Sequence, residues 1–232
     1  MDAAVEARFA SLVGAPDDDL GPRLDEAALL VAAAGQGHDR GWVAGQLDRL
    51  DDIAAGCPPG LEGLVGHLFG MGGLRLRGDV ETYADPENSY LDRVLERRLG
   101  IPITLSVLCL AVGRRVGVDL VGVGMPGHFL VRRQAAPRVL LDCFDGGRRL
   151  TSGDCEAILQ RIAGPLPGFD LRWLDPTPTR DVIVRILTNL RQRALATADV
   201  SLLGWVAPLR AAVPGVGDGD LRLLDQMRAR LS

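Results

Sequence analysis

Gly100-Ile101-Pro102-Ile103-Thr104-Leu105-Ser106-Val107-Leu108-Cys109-Leu110-Ala111-Val112 is the stretch on which the fold turns. It is apolar almost all round, and a helix of that kind is buried on every side. Pro102 suits a first helical turn, where a missing N–H costs nothing. Gly113-Arg114-Arg115 marks the emergence of the helix, and Gly117 its end. A fully buried helix needs other elements wrapped around it, and both flanks supply them.

Upstream, residues 1–72 read as helical. Leu24, Ala27, Ala28 and Val31 recur at helical spacing, as do Trp42, Leu47, Leu50 and Ile53 between Gly41 and Gly56. Cys57-Pro58-Pro59-Gly60 is a break, and Leu61, Leu64, Val65, Leu68 and Phe69 form a third face, with His67 on its solvated side. Residues 72–87 are loop-like. A helix is expected from 89 to 99, opened by Ser89 with Asp92 as a capping pair and closed by Gly100. Downstream come short strands. Leu120 to Val123 is one, His128 to Arg132 and Arg138 to Cys143 form a hairpin, and Arg148 to Thr151 is a further strand or extension. From 152 the chain reads as helical again, broken by Pro165, Pro167 and Gly168. A helix opens at Thr177-Pro178 and runs to Ala196, with Val182, Ile183, Ile186, Leu187 and Leu190 as its apolar face; two more follow near 199–212 and 219–231. The fold class is therefore α+β: a helical N-terminal region (1–72), a mixed core (73–170) with a buried central helix and a small antiparallel sheet, and a helical tail (171–232).

The chain has 232 residues, 47% of them hydrophobic, which is ample for a core without disulfide or metal staples. A formal net charge of -4 and the lack of any basic run argue against nucleic acid as a partner. All 26 basic residues are arginine, so lysine nucleophiles and lysine Schiff bases are excluded. Cys57, Cys109, Cys143 and Cys155 form no C-x-x-C pair, and His38, His67 and His128 are scattered, so neither a metal nor another cofactor is expected. Unpaired cysteines fit a reduced, cytoplasmic setting. The N-terminus has no basic segment followed by an apolar run, and no apolar stretch is long enough to span a membrane.

The hairpin carries the candidate chemistry. With a loop over 133–137, position 128 faces position 142, and His128 and Asp142 stand side by side about 5 Å apart at Cβ. Leu130 and Leu140 then share that face, while Phe129, Val131, Val139 and Leu141 fill the other. A four-residue loop would instead set Cys143 opposite His128. The first register keeps each face uniform in polarity. An aspartate beside a histidine fixes the imidazole tautomer and stabilises the imidazolium, which supplies two members of a nucleophilic triad. The third would sit at a helix N-terminus, where the dipole activates a thiol. The first turns of the buried helix offer Pro102, Ile103, Thr104 and Ser106, and Cys109 lies about 10 Å too far along the axis.

These residues resemble the transglutaminase-like superfamily. Gly100-Ile101-Pro102 before the apolar helix, Gly117, Pro126-Gly127-His128-Phe129 and Leu141-Asp142-Cys143-Phe144 look like its cysteine-protease-like core. Tyr83, Asp85-Pro86, Asn88-Ser89-Tyr90-Leu91, Arg97-Arg98-Leu99 and, in the tail, Arg185 followed by Asn189-Leu190 are similar to its bacterial branch with a tetratricopeptide-like C-terminal tail, known from an invasion-regulator operon. The resemblance places the family's catalytic cysteine at or beside Pro102, and its histidine and aspartate at His128 and Asp142. That branch generally lacks the cysteine, which implies a role other than cross-linking. Cys143 stands where the family pattern leads one to expect a proline.

Two functions follow as expectations. One is a non-catalytic protein that binds a peptide, protein or small molecule in the old cleft, with Asn88, Ser89, Arg98, Pro102, Gly127 and Cys143 as contacts. The other is an acyl-transfer or amide-hydrolysing enzyme with Thr104 or Ser106 as nucleophile, His128 as base and Asp142 as orienter. Each residue also has a plainer reading. The His128–Asp142 pair can be structural, Thr104 and Ser106 can bond back to helix carbonyls, Asn88 and Ser89 can be caps, and Arg98 can be a solvated helix end.

Overall fold

The N-terminal region is helical, as the spacing predicts. The computed structural model describes residues 1–136, 139–164 and 168–229. Five helices come first: α1 (Ala3–Gly14), α2 (Asp17–Leu20), α3 (Leu24–Gln36), α4 (Arg40–Ala55) and α5 (Gly60–Phe69). His67 is not merely solvated, because its Nε2 meets Ile53 O at 2.9 Å and ties α5 to α4. The segment after α5 contains an unexpected strand, β1 (Arg77–Gly78), which pairs in parallel with β2 (Leu99–Gly100). Between them lie a short turn of helix (Pro86–Ser89) and α6 (Leu91–Arg97).

Two expectations at α6 need correcting. No side chain caps its N-terminus: the N-cap is Tyr90, and Asp85 instead accepts from Glu87 N at 2.9 Å within the preceding turn. Its C-cap is Arg98 in the left-handed region (φ 61°), so the helix stops before Gly100. Gly100 serves another purpose, since a Cβ there would stand 2.9 Å from Val94 Cγ1.

Next comes α7 (Pro102–Arg115), the buried helix. All its residues from Pro102 to Cys109 are buried. Pro102 holds the first position, and the Thr104 hydroxyl reaches back to accept from Ile101 N at 3.3 Å, half of a capping box. It packs on α4, α5 and the first strands of a four-stranded antiparallel sheet. That sheet runs β3 (Leu120–Val123), β4 (Leu130–Arg133), β5 (Leu140–Asp142), β6 (Arg148–Leu150), each strand beside the next. One face turns Phe129, Val131, Leu141 and Cys143 into the core with α7. The other buries Val123, Met125, Leu130, Leu140 and Leu150 under α8 (Ser152–Ala163), with Phe169 and Trp173 of the following segment packed alongside.

The division of residues between the two faces is as expected, but the register is not. Val131 pairs with Leu141 and Arg132 with Leu140, so the hairpin is shifted by two positions and Asp142 is not directly opposite position 128. A shift of two leaves every side chain on its own face, which is why polarity alone cannot distinguish the two registers. Pro137 and Arg138 of the hairpin, the breakers Pro165 and Pro167, and the last helix beyond 229 lie outside the described residues.

The tail comprises α9 (Thr179–Ala196), α10 (Val200–Ala212) and α11 (Gly219–Ala229). The Asp17 carboxylate caps α9, accepting from Thr179 N at 2.8 Å and Arg180 N at 2.9 Å. One apolar cluster therefore runs from α1 through α7 to α11 and draws on all three segments of the chain. Among the described residues, no helix is long and apolar enough to cross a membrane.

Candidate functional site

His128 sits just ahead of β4, at the end of a turn in which its N–H donates to Met125 O at 3.2 Å. Gly127 makes the turn possible: its φ is +70°, a conformation that suits glycine. Asp142 ends β5. Its Oδ1 accepts from Phe144 N at 3.0 Å and Asp145 N at 3.3 Å, closing a tight turn, and its Oδ2 lies 3.0 Å from His128 Nε2. Both side chains are buried, His128 at 8% exposure and Asp142 at 5%. The expected pair thus forms diagonally across the hairpin, despite the shifted register. An ionised Asp142 can only accept, so it favours the proton on Nε2. The edge of Phe144 completes the packing, with its ring 6.2 Å from that of His128 at 89°.

His128 lines a pocket of about 230 Å³ together with Pro102, Ile103 and Gly127. The start of α7 and His128, the member of the pair that lines the pocket, therefore meet at one opening. The far side is formed by Tyr83 and by one stripe of α9: Arg185, Thr188, Asn189 and Gln192. A second hollow continues from Tyr83, Asn189 and Gln192 past Ser89, Ile101 and Arg193. Together they make a groove between α9 and the segment over 83–89.

The other candidates fall in different places. Thr104 is fully buried, and its hydroxyl donates to Asn88 O at 2.7 Å or Ile101 O at 3.2 Å. Ser106 is fully buried too, and its Oγ meets no hydrogen-bond partner among the described residues. Neither lines the pocket that holds His128. Cys143 is buried in the interface of sheet and α7, where burial, the Cys109 thiol and the charge of Asp142 push its own thiol well above the ordinary range. Arg98 is exposed at the end of α6, away from the groove.

Asn88 serves the wall rather than the opening. Its Nδ2 donates to Asp79 Oδ2 at 3.0 Å and Thr82 O at 2.8 Å. Burial works to raise the Asp79 carboxyl, but bonds from the Thr82 side chain and backbone and from Asn88, with the Arg97 charge, outweigh it and hold the group at about 2. This knot fixes the loop that carries Tyr83. Gly78 joins in: its N–H donates to Phe144 O at 3.0 Å, and a Cβ there would stand 2.5 Å from the Phe144 ring.

The geometry joins a buried histidine–aspartate pair to the first turn of a buried helix at one pocket. Similarity to known proteins agrees with that layout. A family model described as the transglutaminase-like superfamily matches residues 58–188, more than half of the sequence. The chain belongs to the transglutaminase-like superfamily. A UPF0162 protein of Xylella fastidiosa is 44% identical over 117 residues, covering 49% of this chain and 42% of that protein. One from Pseudomonas aeruginosa is 31% identical over 179 residues, 74% of this chain and 64% of the relative. The mouse F-box only protein 21 is 39% identical over 127 residues, covering 50% of this chain but 19% of that protein. The matched stretch is thus less than half the length of the Xylella relative and less than two thirds of the Pseudomonas one. No solved structure matches the chain at a significant level.

Sequence reasoning quoted Tyr83, Arg185 and Asn189 only as marks of resemblance, and passed over Thr188 and Gln192. The signal for them was present. Positions 185, 188, 189 and 192 recur at helical spacing on the side of α9 opposite its apolar face, and they are polar without a carboxylate among them. Among the described residues, no cluster of three or more His, Cys, Asp or Glu side chains could hold a metal.

Proposed function

We propose that this protein binds a peptide, or a small molecule resembling one, in the transglutaminase-like cleft without acyl-transfer chemistry, in a reduced, cytoplasmic setting. The observation that carries this reading is the wall facing His128. Where a thiol enzyme of this layout needs its nucleophile, the pocket presents Pro102 and Ile103. A proline ring has nothing to ionise, and the hydroxyls nearest in sequence, on Thr104 and Ser106, do not line the opening. The His128–Asp142 pair in this reading is a polar fixture of the cleft, with Gly127 beside it and Ser89 further along the groove. The helical tail, read as tetratricopeptide-like, supplies through α9 the long polar wall along which an extended ligand would lie.

The test is covalent trapping. The native protein is treated with a fluorophosphonate, a β-lactone and iodoacetamide, and modified residues are mapped by mass spectrometry. No labelling of Thr104, Ser106 or Cys143 is expected in the folded state. Stoichiometric labelling of any of these that disappears in His128→Ala would establish an activated nucleophile and favour the acyl-transfer or amide-hydrolase reading instead.

A further inference from the structure

We propose that the cleft is built to receive a carboxylate, read by Arg185; this rests on the binding function proposed above and names the chemistry of its ligand. Of the residues lining the His128 pocket, Arg185 alone carries a permanent charge, and no carboxylate lines that pocket. The guanidinium is held from behind. Its Nη2 donates to Met125 O at 2.8 Å and His128 O at 3.1 Å, and its Cζ lies 5.4 Å from the centre of the Phe129 ring. Gly124 makes room for it, since a Cβ there would stand 2.4 Å from Nη1.

Several half-buried arginines of this chain have carboxylate partners. Arg97 faces Asp79, Asp85 and Glu87; Arg115 faces Asp25 and Asp51; Arg191 and Arg210 share Asp220. Arg185 has none within 4 Å among the described residues, and the one titratable group acting on it is the neighbouring phenol of Tyr83. A desolvated cation is costly unless paired. Two carbonyls compensate part of that cost and fix the orientation of the group, while the charge itself is left without a counter-ion. The planar guanidinium suits a carboxylate, and holding it rigid in advance lowers the cost of binding. Around it the pocket offers neutral donors and acceptors, Tyr83, Asn189 and Gln192, as a peptide backbone would require, and the charged Asp85 and Arg193 lie further along the groove. A carboxylate could come from the C-terminus of a peptide or from an acidic side chain.

The experiment uses three pools of acetylated tetrapeptides of mixed sequence: one with free C-termini and no acidic residues, one amidated without acidic residues, and one amidated with an internal glutamate. Binding is followed by NMR of the His128 ring and the arginine Nε–H groups. The free-carboxylate or glutamate pool should shift His128 and Arg185 together and bind at least about tenfold more tightly than the neutral amides, a difference of about 1.4 kcal/mol. Which of the two does so identifies the source. Arg185→Gln should abolish the preference. Should that variant fail to fold, Gln192→Glu places a competing carboxylate on the exposed rim and should weaken the acidic pools about tenfold while leaving the neutral one unchanged. Equal binding of all three pools at His128, or a preference that survives Gln192→Glu, would overturn the role of Arg185 and leave the cleft-binding function standing. No shift at His128 with any pool would overturn both.

Discussion

Replacing His128 and Asp142, singly and together, tests whether the pair acts as a unit. Asp142 satisfies three donors: the His128 ring through Oδ2, and the backbone N–H groups of Phe144 and Asp145 through Oδ1. Asp142→Ala removes all three bonds. With about 1 kcal/mol net per hydrogen bond, and more where a buried donor is stranded, the cost is about 3–4 kcal/mol. His128→Ala removes one bond and leaves the turn closed, but strands one carboxylate oxygen, for about 2 kcal/mol. Considered from sequence alone, as partners and nothing more, the two residues would cost much the same, or the histidine more; the turn bonds reverse that order. The double variant should fall short of the sum by about 1–2 kcal/mol, since each single change already destroys the shared bond. Asp142→Asn keeps an oxygen for the turn and should cost less than Asp142→Ala. Urea denaturation with a constant m-value measures all four. Additive costs within about 0.5 kcal/mol, or a histidine change costlier than the aspartate change, would refute the geometry described.

Other consequences follow from the same structure. Gly127→Ala places a Cβ on a backbone at φ +70°, 2.7 Å from Ile162 Cγ2, and should cost about 1–2 kcal/mol in the same denaturation assay; an unchanged midpoint would mean the turn before His128 is not held as described. Thiol titration of the native protein should find Cys57 reactive first, because Cys109, Cys143 and Cys155 are buried and burial raises the Cys155 thiol to about 11. Equal rates for all four would contradict the packing of α7 on the sheet. Asp79 is held at about 2 against an ordinary 3.8, so its contribution is complete above pH 4 and is lost as the pH falls towards 2. With the carboxylate almost wholly buried, the shift is worth on the order of 2 kcal/mol. Asp79→Asn should flatten the acid limb of the stability curve, and an unaltered limb would argue against the knot that carries Tyr83.

Much of this architecture is legible in the sequence because apolar periodicity is a local signal. The stretch from Pro102 to Val112 gives both the identity and the burial of α7, and the turn residues before 120 and at 145–147 mark where strands of the sheet begin and end. What the sequence leaves open is set at longer range. A two-position slip of the hairpin preserves every face, so backbone pairing decides it: Val131 with Leu141, Arg132 with Leu140, and the closing bond from Arg133 N to Val139 O. The strand at Arg77 has too short a run to stand out, and its partner at Leu99 is parallel and remote. The N-cap position of α6 falls on Tyr90 without a side-chain cap, while Asp92 accepts instead from Gln36 Nε2 at 2.9 Å, a long-range partner that pairwise spacing does not reveal. At the site, His128 and Asp142 are readable from the hairpin, while the wall formed by α9 arises from packing of the tail against α3 and α7.

The most direct test of the binding function is affinity selection. The protein is incubated with a mixed peptide digest and separated by size exclusion, and retained peptides are identified by mass. The same is done with Asn189→Trp, which fills the groove between α9 and the segment carrying Tyr83. Peptides retained by the native protein should return with unaltered mass, and Asn189→Trp should lose them. Cleaved, deamidated or cross-linked peptides, or retention unaffected by the tryptophan, would contradict a cleft that binds without reacting.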